Sequence, residues 1–168
     1  MFNRLVMIFV ISFIIAGCSN KKHQKNITPE AAVIKITETL YLSSITFSDE
    51  VIDGEFRTEC EMLPMVTKSI LDSAKTDSKN ILPSNNIEND QYELKVEFVN
   101  VVPNRWAFLA FRPSSNATIK ASIIKAGVTL HSTTKIIGSG VAFGACDRLE
   151  KISVAEGRYI SKWVSKYI

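Results

Sequence analysis

Tyr92-Glu93-Leu94-Lys95-Val96-Glu97-Phe98 is the stretch on which the fold turns. Four apolar side chains alternate with three charged ones, so an extended chain puts Tyr92, Leu94, Val96 and Phe98 on one face and the charges on the other. A helix would scatter both sets around its circumference. The segment therefore reads as a strand with one buried and one wet face, and its buried face needs a second layer to cover it.

Downstream, Ala117, Ile119, Ala121 and Ile123 form a second run, and Ala126-Gly127 turns it back into Val128 to Ile137 as a hairpin. Upstream, Val33 to Phe47 carries Ile34, Ile36, Leu40 and Leu42 on one parity, imperfectly, because Glu38 falls among them. Ser48 to Gly54 is acidic and ends in the turn signal Asp53-Gly54. Met62, Leu63, Val66, Ile70 and Ala74 recur at three and four residues, the stripe of an amphipathic helix. Pro64 is tolerated only in a first turn, so that helix should begin near Cys60. Asp77 to Asp90, with Pro83, Asn85 and Asn86, reads as a loop. From Cys146 to Ile168 a second helix places Leu149, Ile152, Tyr159, Ile160, Trp163 and Tyr167 on one face. The expected fold is α+β: an antiparallel sheet of about four strands with two helices on one face, a two-layer sandwich spanning residues 31–168 as a single domain.

The 168 residues are 46% hydrophobic and 22% charged, with a net charge of +3. That length suits one domain, and the balance argues against a disordered chain, a multi-span membrane protein and a strongly basic nucleic-acid binder. The apolar residues are unevenly spread, because Met1 to Gly17 holds 13 of them and the single charge Arg4. The run Leu5 to Ile15 is too short to remain as a membrane-spanning helix.

That run ends in Ile15-Ala16-Gly17-Cys18, which resembles the lipobox of bacterial lipoproteins: an aliphatic residue, two small residues and a cysteine. The resemblance implies residues 1–17 as a signal peptide cut before Cys18, a diacylglyceryl thioether on Cys18, and acylation of the new amino terminus. Two or more acyl chains give a lasting anchor where one is marginal. Residues 18–30 then serve as the acylated cysteine and a polar, cationic tether. Ser19, not an aspartate, points within that family to the outer membrane, with the body facing the periplasm.

With Cys18 given to lipid, Cys60 and Cys146 remain. Each precedes a helix, and two helices running the same way on one sheet face would bring those ends together as a disulfide. The Cys-x-x-Cys spacing of a redox-active pair is absent.

Other motifs carry less. Gly138-Ser139-Gly140 to Gly144 precedes a helix, where backbone N–H groups can face an anion, but the spacing departs from a dinucleotide fingerprint and the plainer reading is a connection. His23 lies in the tether and His131 in a strand, with no Gly-x-Ser-x-Gly elbow or His-Glu-x-x-His spacing beside them. Glu156 falls inside the apolar stripe of the last helix. Buried there, it would need a partner or a raised pKa, which marks a functional-site candidate; the plainer reading is that local rotation or a packing gap beside Gly157 keeps its carboxylate wet. No catalytic residue, metal or cofactor is expected.

The segment from Pro103 to Pro113 stands apart, because it packs Arg105, Trp106, Phe108, Phe111 and Arg112 between two prolines. These are residue types enriched at interaction hot spots, so they are the candidate partner contacts. Rings folded into the core are the competing reading.

The carboxy-terminal half is loosely similar to uncharacterised periplasmic lipoproteins of Gram-negative bacteria. The similarity lies in Ser132-Thr133-Thr134, the glycine-rich loop to Gly144, Cys146-Asp147-Arg148-Leu149, Gly157 and Trp163, with Phe56-Arg57-Thr58-Glu59 before the first helix. The expectation is a lipid-anchored, non-catalytic interaction or accessory module. It has a membrane and an envelope protein as partners and no nucleic acid. The alternative is a carrier for an amphipathic lipid or glycan.

Overall fold

In the computed structural model, which describes residues 35–51, 54–104, 114–140 and 144–168, the alternating stretch is the middle strand of a six-stranded sheet. In chain order the elements are β1 (Leu40–Leu42), β2 (Thr46–Phe47), α1 (Phe56–Glu59), α2 (Met62–Thr76), β3 (Ile81–Pro83), β4 (Tyr92–Val102), β5 (Asn116–Lys125), β6 (Val128–Gly138) and α3 (Ala145–Val164). The sheet order is β3-β1-β4-β5-β6, and β2 also pairs with β4.

The α+β class stands, but the sheet is mixed and has more strands than expected. β4, β5 and β6 are antiparallel neighbours. By contrast, β1 runs parallel to both β3 and β4, and β2 runs parallel to β4. Two causes explain the difference. Ser43 and Ser44 interrupt the segment read as one strand and leave two short ones, and Ser43 Oγ donates to Leu94 O at 3.2 Å. Between β1 and β3 the chain passes through α2, and a crossover of that length returns it in the same direction. The stretch read as a loop holds β3, where Pro83 is tolerated because the strand lies at the sheet edge.

The alternation in β4 survives intact: Leu94, Val96 and Phe98 are buried while Lys95 is exposed. In β5, Ala117, Ile119, Ala121 and Ile123 continue the buried face. α3 lies against β5 and β6, and α2 against β3 and α3, so both long helices cover that face. Pro64 is the third residue of α2, within the first turn. The β5–β6 hairpin turns on Ala126 (φ +50°) and Gly127 (φ +74°), a pair of left-handed residues that matches the twist of the strands.

α2 and α3 run in the same direction. Cys60, just before α2, and Cys146, in the first turn of α3, are joined as a disulfide with Cα atoms 4.9 Å apart. Farther along, Ser69 Oγ donates to Val154 O at 2.7 Å. Gly157 is the point of closest approach: a Cβ there would stand 2.5 Å from Ser69 Cβ and 2.9 Å from Val66 O. At the far end Lys79 Nζ donates to Ile168 O at 3.3 Å. Among the described residues no helix is long and apolar enough to cross a membrane.

Candidate functional site

Arg148 is the most unusual side chain of the helical layer. An arginine in the first turn of a helix opposes the helix dipole, so something else must reward its place. It is fully buried, at 0% exposure. Its Nε donates to Ser115 Oγ at 3.0 Å, and a terminal nitrogen donates to Asn104 O. Those two acceptors come from opposite sides of the β4–β5 connection, because Asn104 follows β4 and Ser115 precedes β5. Asn104 Nδ2 donates to Ser114 O, closing the base from within.

A third strand joins this knot. Ser139 Oγ accepts from Ser115 N at 3.0 Å, and Ser139 N donates to Ser115 O at 2.8 Å. The start of the glycine-rich loop is therefore tied to the same base. Arg148 in turn is held in register by Cys146, two residues earlier in the bridge to Cys60. The outcome is a polar platform in which the guanidinium of a helix residue ties two strand ends, and the loop is tied to one of them through Ser139 and Ser115. Charge-assisted bonds of this kind are about twice as strong as neutral ones.

The candidate contacts Arg105, Trp106, Phe108, Phe111 and Arg112 belong to the segment this platform carries, and they lie outside the described residues, as does Cys18. What the structure describes is the base from which the segment leaves and to which it returns. Arg148 was not singled out by sequence reasoning. Its signal was a cation next to Asp147 at a helix start, directly after a glycine-rich loop.

The remaining candidates sort by their surroundings. Gly144 is the N-cap of α3, and a Cβ there would meet Asp147 Oδ2 at 3.2 Å, so this helix start has its own carboxylate where an anion would sit. His131 is half-buried and stacks on Tyr167 with ring centroids 3.9 Å apart. Tyr159 and Thr133 share a hydrogen bond of 2.7 Å nearby. Among the described residues no group of His, Cys, Asp or Glu side chains could hold a metal ion.

Glu156 departs from the expectation of a wet carboxylate. It is fully buried, at 0% exposure, and among the described residues neither carboxylate oxygen has a hydrogen-bond partner. Burial pushes its pKa up to about 8, which favours the protonated form. No gap opens beside Gly157, because Ser69 fills the space there.

Among the described residues, two grooves are open to solvent. One, of about 390 Å³, runs between the helices and is lined by Lys68, Asp72 and Arg158 among others. The other, of about 490 Å³, lies over the sheet beside Glu93, Lys95 and Glu97.

No family model and no curated protein sequence matches the chain. Solved structures of similar fold include a Xanthomonas campestris protein of family DUF330, at a TM-score of 0.53 and 14% identity, covering 81% of this chain and 88% of that one. A minor lipoprotein from Acinetobacter baumannii also aligns, at a TM-score of 0.47 and 12% identity, covering 79% of this chain and 93% of that one. At such identities the likeness to the Xanthomonas protein is one of fold alone.

Proposed function

We propose that the chain is a lipid-anchored lipoprotein of the bacterial cell envelope whose body is a non-catalytic interaction or accessory module. Cys18 carries the lipid and Ser19 directs the chain to the outer membrane, with the body in the periplasm. The segment containing Arg105, Trp106, Phe108, Phe111 and Arg112 contacts an envelope protein.

The observation that supports this reading best is the grip of Arg148 on both ends of that segment, through Asn104 O and Ser115 Oγ. A connection with no task needs no buried guanidinium at its base. Fixing both ends of a recognition segment also lowers the ordering cost of binding. The Cys60–Cys146 bridge suits an oxidising compartment.

Two experiments test the two halves. Photocrosslinking in cells from position 106 or 108 should capture a defined protein, and Trp106→Ser introduced alongside a crosslinker at position 108 should abolish the capture. Recovery of bulk lipid alone would overturn the partner reading. Cys18→Ala should leave an unprocessed, non-acylated chain by mass spectrometry, and normal acylation of that variant would overturn the anchor.

A further inference from the structure

Glu156 occupies the midline of the face that α3 turns to the sheet, with Leu149, Ile152, Ile160 and Trp163 buried around it. A carboxyl group in such a place is tolerated when neutral and heavily penalised when ionised, unless a partner answers its charge. Among the described residues, the elements packed most extensively against α3 are α2, β5 and β6. The helix-facing residues of β5, Ala117, Ile119, Ala121 and Ile123, are all non-ionisable. β6 turns His131 and Lys135 to that side, but His131 is engaged with Tyr167, and the Lys135 ammonium sits over the Tyr159 ring at 5.5 Å from its centroid. α2 contributes Lys68 and Asp72, which line the outer groove with Arg158. On α3 itself Arg148 is committed to Ser115 and Asn104, two turns away.

We infer that Glu156 is a proton-dependent fastener: protonated, it lets α3 lie flat on β5 and β6, and ionised, it lifts α3 from the sheet beyond the disulfide. The amino-terminal end of α3 stays in place, tied by Cys60–Cys146 and by the Arg148 bonds. The carboxyl proton passes to solvent as the helix lifts and returns when it closes, so no other reactant is needed.

The direction follows from linkage. The closed state holds the proton up to about pH 8, whereas the opened, hydrated carboxyl releases it near the ordinary value of 4.5. Closure is therefore favoured most below pH 4.5 and is lost as pH rises through 8. Over that interval the equilibrium constant for opening grows by up to about tenfold per pH unit, then levels off.

Hydrogen–deuterium exchange on the oxidised full-length chain tests this, with rates corrected for the intrinsic pH dependence of amide exchange. Between pH 6 and 8 the amides of residues 152–164 should lose protection by up to about tenfold per unit, while those of β4 and β5 hold. Glu156→Gln should flatten that dependence. The same slope in Glu156→Gln, or an equal loss of protection across the whole sheet, would overturn the inference. If Glu156→Gln does not fold, carbon-13 titration of the wild-type carboxyl decides: a midpoint near 8 supports it, and one in the ordinary carboxylate range overturns it.

Discussion

Gly157 and Ser69 meet where no side chain fits between them: the Cβ that Gly157 lacks would stand 2.5 Å from Ser69 Cβ. That contact lets α2 and α3 approach closely enough for Ser69 Oγ to reach Val154 O. Gly157→Ala should therefore destabilise the protein, although alanine is the better helix former by about 1 kcal/mol. Overpacking of about 1–3 kcal/mol outweighs that gain. Urea denaturation measures the difference, with Gly140→Ala, where a Cβ meets nothing within 4 Å, as the control.

Arg148→Met keeps most of the buried volume and removes the donors to Ser115 and Asn104. Each lost charge-assisted hydrogen bond costs about 1.5–3 kcal/mol, so the variant should unfold at markedly lower denaturant. Arg148→Lys should recover only part, because one ammonium cannot reproduce a planar fork. Crosslinking yield from position 106 should fall together with stability in both variants.

Reduction of Cys60–Cys146 opens a covalent loop with a sequence separation of 86. Chain entropy alone gives about 4–5 kcal/mol for a loop of that size. A Cys60→Ser/Cys146→Ser double variant should show that loss as a lower denaturant midpoint, with a steeper slope because the unbridged denatured chain is less compact. Both cysteines should resist thiol labelling in the folded, oxidised protein.

Ala126 adopts φ +50°, a left-handed conformation that costs an ordinary L-residue about 1–2 kcal/mol. Ala126→Asn restores the preferred Asn-Gly turn and should raise stability by about 0.5–1 kcal/mol without altering the backbone bond from Ala126 N to Asn89 O. Thermal unfolding checks the sign.

The parts of the fold with a strong period were legible in the sequence. β4 follows from Tyr92 to Phe98, α2 from Met62 to Ala74, and α3 from Leu149 to Trp163, because two-residue and 3.6-residue patterns report burial directly. β1, β2 and β3 span three, two and three residues, too few to establish any period, so their parallel pairing was hidden. The surroundings of Glu156 are hidden in the sequence for a different reason. A glycine beside a carboxylate looks like space in a sequence, yet whether space remains depends on the neighbouring helix, and here Ser69 occupies it. Arg148 is a case of long-range chemistry, since its acceptors lie 33 and 44 residues away.

Because the bridge holds α2 and α3 side by side and parallel, their positive ends coincide, and so do their negative ends. Aligned dipoles repel, and the side chains answer at both poles. Glu59, Glu61, Asp147 and Glu150 gather at the leading end, where Glu150 Oε1 accepts from Glu61 N at 3.3 Å. Lys75 and Lys162 lie in the last turns of the two helices, with Lys79 just beyond α2. The helical layer thus carries both dipoles in one sense, with carboxylates gathered at its leading end to offset the paired positive poles.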